Sequence, residues 1–248
     1  MRVICLSAGR SSRLMPLTAQ IHKSALRVAG WPILDWQMHS FWLAGIRDVV
    51  VVAGHGSDET RRLLGAWKNR MAIDIVQNDE FDRRNLDYSL FSASQYLEGN
   101  VLYFEGDLLL PPLLLEALAD STSEITIAAS GSSKSERVDA IVRRVGNTIH
   151  LECSEHGSLD VHGSEGEFIC AFKLAGGSAE KLRHKLALST FAGQIRLYQY
   201  LSELMTEFRT NILNTAAQPW IEIDNLADLQ RATAVVDAFG FRPNTGDS

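Results

Sequence analysis

Cysteine is scarce: three residues (Cys5, Cys153 and Cys170) in a chain of 248, odd in number and widely spaced. They supply neither a disulfide framework nor a cysteine-rich zinc site. Cys5 and Cys170 stand inside apolar runs, as the buried, reduced thiols of a cytoplasmic protein do. Long apolar runs are missing as well. None approaches the roughly 20 residues that a membrane span needs, and the opening Met1–Leu6 stretch meets polar Ser7 and then Gly9 too soon for a signal-peptide core. A cytoplasmic location with no membrane partner is the expectation. Basic residues are outnumbered, 24 Lys plus Arg against 30 Asp plus Glu, for a net charge of −6. That balance argues against nucleic acid as a partner, because phosphate neutralisation needs clustered cations. A small anion can still bind at a local basic patch.

The signatures of several site classes are also absent. The seven histidines show no spacing suited to zinc. No Gly-x-Ser-x-Gly marks a hydrolase nucleophile. No phosphate loop ends in Gly-Lys-Ser/Thr, and Gly54-His55-Gly56 lacks the third glycine of a dinucleotide fingerprint.

What remains is an ordinary globular composition, 46% hydrophobic and 22% charged, with enough chain to bury a core unaided. Val3–Leu6, Val49–Ala53, Ile73–Val76 and Val101–Phe104 read as short apolar strands. Helical patterns run between them over Pro32–Leu43, Asp58–Trp67 (with Ser57 as a candidate N-cap) and Tyr88–Leu97. Trp31, Trp36 and Trp42 fall near helical spacing and read as packing residues. This alternation predicts an α/β fold, a doubly wound, mostly parallel (mixed) sheet with helices on both faces. The second half is less regular. It offers a helix over Pro111–Ala119, a strand over Glu124–Ala129, and a hairpin of Val138–Val145 and Thr148–Cys153 turning at Gly146-Asn147. A strand at Phe168–Phe172 and helices over Ser178–Leu188 and Gln194–Phe208 follow. Trp220–Asp224 reads as a strand and Leu226–Phe239 as a helix capped by Asn225. With no linker or repeat, residues 1–241 read as one domain and 242–248 as a frayed tail.

Three segments can carry chemistry. Leu6-Ser7-Ala8-Gly9-Arg10-Ser11-Ser12-Arg13-Leu14 follows the first strand, where a parallel sheet opens its ligand crevice. Small residues there let backbone N–H groups approach an anion, with Arg10 and Arg13 adding charge; an ordinary Gly/Ser turn with two solvated arginines has the same composition. Lys23 lies just downstream and matters only if that loop holds phosphates. Asp107 and Asp224 stand at strand ends, with Glu222 on the same face as Asp224. Carboxylates converging from two parallel strands would suit Mg²⁺; Asp224 would equally suit a helix cap.

Together these segments resemble the nucleotidyltransferase superfamily that makes sugar nucleotides and related activated phosphates. Its opening pattern is Leu-Ala-Ala-Gly-x-Gly-x-Arg-Leu-x-Pro-Leu-Thr, then Pro-Lys-x-Leu. Here Leu6-Ser7-Ala8-Gly9-Arg10-Ser11-Ser12-Arg13-Leu14-Met15-Pro16-Leu17-Thr18 is followed by His22-Lys23-Ser24-Ala25-Leu26. The family's Gly-Asp after the fourth strand is matched by Gly106-Asp107. A narrower resemblance is to bacterial CTP:phosphocholine and CTP:phosphonate cytidylyltransferases. It rests on His22-Lys23-Ser24 in place of Pro-Lys, on Asn78 and Asn85-Leu86-Asp87-Tyr88-Ser89-Leu90, and on Trp220-Ile221-Glu222-Ile223-Asp224-Asn225-Leu226-Ala227-Asp228-Leu229. Ser11 replaces the usual loop glycine, and Leu86 the second asparagine.

The resemblance implies a Rossmann-like nucleotidyltransferase fold and Mg²⁺-dependent transfer of CMP from CTP to a small phosphate or phosphonate, of the phosphocholine or 2-aminoethylphosphonate class. Pyrophosphate would leave. Asp107 and Asp224 would hold Mg²⁺ with Glu222 as a further ligand, and Arg13 and Lys23 would stand by the phosphates. Leu6, Ser7, Ala8, Gly9, Arg10, Ser11, Ser12 and Gly106 would meet the nucleotide, with Gly54, Asn78 and Ser89 near base and ribose. Asn85, Asp87, Tyr88 and Trp220 are the candidates for the acceptor's far end. The expected partners are CTP and that acceptor, with a homodimer as the default for a soluble enzyme. Two other readings stay open: a sugar-1-phosphate nucleotidyltransferase using another NTP, and a catalytically silent nucleotide-binding regulatory domain.

Overall fold

A computed structural model describes residues 1–131, 138–154, 159–191 and 196–244. The chain opens with β1 (Arg2–Ser7) and single 3₁₀ turns at Ser12–Leu14, Leu17–Ala19 and Lys23–Ala25. The short pair β2 (Arg27–Val28) and β3 (Trp31–Pro32) leads into helix α1 (Ile33–Leu43). Next come β4 (Asp48–Ala53), α2 (Ser57–Gly65), β5 (Ala72–Gln77), α3 (Leu86–Ser92) and β6 (Val101–Glu105). They are followed by β7 (Leu108–Leu109), α4 (Pro112–Asp120), β8 (Ile125–Ser130), β9 (Ala140–Val145), β10 (Thr148–Cys153) and β11 (Gly166–Leu174). The chain continues through α5 (Gly177–Ala187), α6 (Arg196–Glu207), β12 (Thr210–Asn214), β13 (Ile221–Glu222) and α7 (Leu226–Asp237).

The main sheet is mixed. β5, β4, β1 and β6 run parallel side by side. β11 then pairs antiparallel with β6, with β8 and, through Gly166 and Glu167, with β9, while β12 lies parallel to β8. The β9–β10 hairpin turns between Val145 and Thr148 as its Gly-Asn signal predicts. Alternation along the strands explains the two covered faces. Ile4, Leu6, Val50, Val52 and Tyr103 pack on one side with Leu90 of α3. Val3, Cys5, Val49 and Val51 pack on the other with Leu34 and Met38 of α1. Trp36 is fully buried, as its helical spacing predicts, and its indole N–H donates to the Val28 carbonyl at 2.9 Å. No helix among the described residues is long and apolar enough to cross a membrane.

Several local expectations are corrected. The cap of α2 is Gly56, left-handed at φ 62°, and Ser57 is already helical. A Cβ at Gly56 would meet His22 Cβ at 2.6 Å, so the turn is a close approach that only glycine fits. The helix expected from Tyr88 to Leu97 begins at Leu86, ends at Ser92, and gives way to a 3₁₀ turn at Ser94–Tyr96. Of Trp220–Asp224 only Ile221–Glu222 is strand, and it runs antiparallel to β7 in a separate two-stranded ladder. The carboxylates therefore do not arrive on two parallel strands; a short antiparallel pairing brings them together. β12 had no expectation attached to it, since Thr210–Asn214 alternates weakly between polar and apolar positions. Asn225 does cap α7, in a reciprocal capping box with Asp228. Gln194 and the last four residues of the tail, 245–248, lie outside the described residues. Residues 242–244 touch α1: the Arg242 guanidinium stands 5.7 Å from the Trp36 ring, and the Asn244 backbone N–H donates to His39 Nδ1 at 3.2 Å.

Candidate active site

The site forms where β1 and β6 end side by side. Gly106 closes on the chain after β1: its N–H donates to the Leu6 carbonyl at 2.8 Å, and a Cβ there would lie 2.7 Å from that oxygen. Only glycine allows this approach. Leu6, Ser7, Gly9, Ser11, His22, Lys23, Gly106 and Asp107 line one small cleft of about 60 Å³. Ser11 adopts φ 52°, ψ 48°, so this position does need the left-handed conformation for which glycine is the usual choice. Thr18 braces it by donating its hydroxyl to the Ser11 carbonyl at 3.0 Å.

His22 holds the other side of the cleft. The Ser24 N–H donates to His22 Nδ1 at 3.3 Å, which leaves the ring proton on Nε2, and Nε2–H then donates to the Gly9 carbonyl at 3.3 Å. Burial pushes the imidazole pKa down to about 4, with repulsion from His55 and Lys23 adding to the effect. The ring is neutral at pH 7 and works as a hydrogen-bond brace. Its role was not legible beyond the His-Lys-Ser spelling.

Beside this cleft three carboxylates converge. Ligand oxygens of Asp107, Glu222 and Asp224 all lie within 4.8 Å of one another. The Ile223 N–H donates to the Asp107 carbonyl at 3.0 Å, which fixes the two segments in register. Gln37 of α1 ties the turn around Asp107 by donating to the Leu108 carbonyl at 3.0 Å. Lys23 Nζ stands 2.9 Å from Asp107 and 3.8 Å from Asp224, while Arg13 pairs with Asp224 at 2.8 Å. Burial, then repulsion from Asp107, holds the carboxyls of Glu222 and Asp224 above their ordinary range. The set fits a hard divalent cation: all donors are oxygen, their mutual repulsion is what such an ion relieves, and Asp107 Oδ1 is buried without a hydrogen-bond partner.

A second cavity, of about 190 Å³, opens from the same cluster and is lined by Glu105, Asp139, Glu167, Phe168, Cys170 and Tyr198 together with Arg13, Leu86 and the three carboxylates. None of those first six was a candidate in the sequence. The one local signal was Glu105, two residues before Asp107; Asp139 directly precedes β9, and the rest reach the site through the bulged register of β11 and through α6. The hydroxyls of Tyr103 and Tyr198 both donate to Glu105 Oε1, at 2.9 and 2.7 Å. Burial and the nearby Asp107 push the Glu105 carboxyl up to about 7, against the pull of those hydroxyls.

Other candidates stand elsewhere. Arg10 reaches Asp82 at 3.6 Å and lies over Phe81. Ala8 is buried, its carbonyl accepting the His55 N–H at 3.1 Å, and Ser12 opens the 3₁₀ turn that carries Arg13. Gly54 packs against the Ala8 carbonyl, where a Cβ would come within 2.7 Å. Asn78 and Ser89 are buried and bonded to each other at 3.0 Å. Asn85 begins α3, Asp87 is buried, and Tyr88 packs on Phe91 and Phe191. Trp220 is a core residue, packed with Cys5, Val51 and Leu108. Neither cavity wall includes any of these last four.

A doubly wound sheet whose first strand ends in a Gly/Ser cleft beside paired cations and clustered carboxylates is built to handle a phosphorylated ligand. The chain belongs to the nucleotidyl transferase family, whose sequence profile matches residues 2–137, more than half of its length. It is 33% identical over 129 residues to CMP-5'-(3-aminopropyl)phosphonate synthase of Streptomyces rubellomurinus, covering 52% of this chain and 20% of that protein. It is 25% identical over 122 residues to choline-phosphate cytidylyltransferase of Streptococcus pneumoniae, covering 49% and 52%. The chain thus spans about half or less of the length of these curated relatives. The inositol-1-phosphate CTP transferase of T. maritima shares the fold, with a TM-score of 0.78 over 96% of this chain and 95% of that one at 21% identity.

Proposed function

We propose that the chain transfers CMP from CTP to a small phosphate or phosphonate acceptor and releases pyrophosphate. The observation that carries this reading is the convergence of Asp107, Glu222 and Asp224 beside Lys23 and the Gly9–Ser11 cleft. An acceptor oxygen attacks the α-phosphorus of CTP, a P–O bond forms, and the bond to the bridging oxygen breaks with its electron pair going to pyrophosphate. The acceptor is already ionised near neutral pH, because second phosphate pKa values lie near about 6. No side chain has to remove a proton, and the task is to hold two anions together.

Lys23 and Arg13 perform that task. Ion pairs with Asp107 and Asp224 hold Lys23 in the wall of the cleft and Arg13 in the wall of the adjoining cavity, from which both turn to phosphate oxygens. Backbone N–H groups of residues 8–12 hold the rest of the triphosphate. Asp107, Asp224 and Glu222 would hold Mg²⁺, which supplies positive charge against the α-phosphate when bound. Residues 1–241 act as one domain in this reading, and three free thiols suit a reducing cytoplasm.

The CTP-dependent names of two relatives support cytosine as the base. The test is incubation with each of four NTPs, Mg²⁺ and a panel of phosphates, phosphonates and sugar 1-phosphates, read by pyrophosphate release and product mass. A CMP adduct of a small acceptor is the expected product. A hexose adduct of another nucleotide would replace cytidylyl transfer by the sugar-nucleotide reading.

A further inference from the structure

Helix α1 is buried from Ile33 to Phe41, and its Leu34, Met38 and Phe41 pack into an apolar cluster. Gln37 on the same helix is 2% exposed. Its amide oxygen is buried and accepts no hydrogen bond among the described residues, a state that costs stability. An apolar side chain of similar size would avoid that cost, so packing does not explain the amide. Its nitrogen does. The two N–H groups of Nε2 donate to the carbonyls of Glu105, at 3.4 Å, and Leu108, at 3.0 Å. Those carbonyls bracket Gly106-Asp107. Two carbonyls facing one nitrogen require a pair of donors, which among uncharged side chains only an amide has.

The turn held in this way carries the acids. β7 and β13 pair over two residues each, Leu108 opposite Glu222 and Leu109 opposite Ile221, and the Ile223 N–H reaches the Asp107 carbonyl at 3.0 Å. A ladder that short fixes its strands weakly by itself. The Asp107 carbonyl is taken by β13 and its continuation, and the Leu108 carbonyl by Gln37, so this side chain stands in for a neighbouring strand. Asp107, Glu222 and Asp224, whose ligand oxygens lie within 4.8 Å of one another, all sit on or next to the ladder. We infer that Gln37 is a positioning residue for the divalent-cation site: its amide sets the turn from Glu105 to Leu108, and with it the reach of Asp107 toward Glu222 and Asp224. The inference rests on the metal-dependent transfer proposed above. Gln37 lines neither cavity, so it acts through the backbone and not by touching the ligand.

The experiment titrates Mn²⁺, a paramagnetic stand-in for Mg²⁺, into wild type, Gln37→Met and Gln37→Asn. Free Mn²⁺ is followed by electron paramagnetic resonance, with and without the non-transferable α,β-methylene analogue of CTP. Methionine keeps the volume and removes both donors, while asparagine holds the amide one methylene short of its carbonyls. Both variants should bind Mn²⁺ about ten- to a hundredfold more weakly than wild type, the scale for a group that orients a metal ligand from behind. The metal concentration for half-maximal pyrophosphate release should rise by the same factor, with kcat at saturating metal and the KM for CTP changed less. Unchanged Mn²⁺ affinity in either folded variant overturns the inference, and a lowered urea midpoint beside wild-type affinity would leave Gln37 a packing residue only. If neither variant folds, wild type labelled with ¹⁵N-glutamine decides. Hydrogen exchange of the Gln37 side-chain amide should slow about tenfold on saturation with Mg²⁺, because coupling between metal and turn is reciprocal; an unchanged rate overturns the inference. Absence of saturable Mn²⁺ binding to wild type removes the metal site and this inference with it. Weakened metal binding in the variants, with no pyrophosphate release by wild type from any NTP, would instead sink the transfer reaction and leave Gln37 in its role.

Discussion

His22 makes stability and the geometry of the Gly/Ser cleft depend on the same proton. The folded ring, 4% exposed, titrates at about 4, whereas an unfolded histidine titrates at about 6.5. The unfolded chain therefore takes up the proton first, and between those values it binds more protons than the folded chain does. Stability contributed by the neutral ring is complete above about pH 6.5, falls as pH drops, and levels off below about 4. A gap of about 2.5 units at roughly 1.4 kcal/mol each corresponds to about 3 kcal/mol. The structural cause is plain: a proton on Nδ1 removes the acceptor for the Ser24 N–H and places a charge in a buried site beside Lys23 and His55. Urea unfolding of wild type and His22→Gln at pH 7.5, 6, 5 and 4 checks this. The difference between the two proteins cancels the contributions of acids distant from His22. It should shrink by about 3 kcal/mol from the highest to the lowest pH. A difference that stays constant across the range would refute the claim that His22 is held neutral by burial.

Other expectations follow from the same geometry. Lys23→Ala should lower kcat by about a hundredfold or more while raising the KM for CTP less, because the charge it neutralises grows in the transition state; an effect on KM alone would assign Lys23 to uniform binding. Glu222→Gln should cut activity yet raise the melting temperature, by roughly 2–4 °C for each kcal/mol of buried repulsion removed. That gain should vanish at acid pH, where Glu222 is protonated in both states; an unchanged or lower melting temperature at pH 8 would contradict the raised carboxyl. Ser11→Gly should be neutral or stabilising by up to about 1 kcal/mol, and Ser11→Val destabilising by about 2 kcal/mol, since a β-branched residue fits the left-handed region worst. Equal denaturation midpoints for the two variants would mean that the loop relaxes out of that conformation.

Much of the first half was legible because its signals are local. Four apolar strands separated by amphipathic helices predict a covered sheet, and the observed β1, β4, β5 and β6 match that expectation within a residue or two. The Asn225 cap and the Gly146-Asn147 turn were legible for the same reason, since each acts within a few residues. The candidates that stand outside the two cavities are instructive. Trp220 has the chemistry of a stacking surface but is spent in the core, and Asn78 and Ser89 satisfy each other. Hydrogen-bonding partners are chosen in three dimensions, so residue type alone cannot assign them.

The amino-acid sequence by itself determined the alternating α/β layout, the Gly/Ser loop after the first strand, and the identities of the lysine and carboxylates that cluster beside that loop. Tertiary structure decided how those groups meet. Lys23 and Asp107 are 84 positions apart yet 2.9 Å from each other. Glu222 reaches Asp107 because a two-residue antiparallel pairing, not the expected parallel strand, brings the chain back. The walls formed by Glu105, Glu167 and Tyr198 likewise come from β6, β11 and α6. Burial and charge proximity are properties of such long-range contacts, which no periodicity encodes. That is why the acids could be named from the sequence while the shape of the cavity beside them could not.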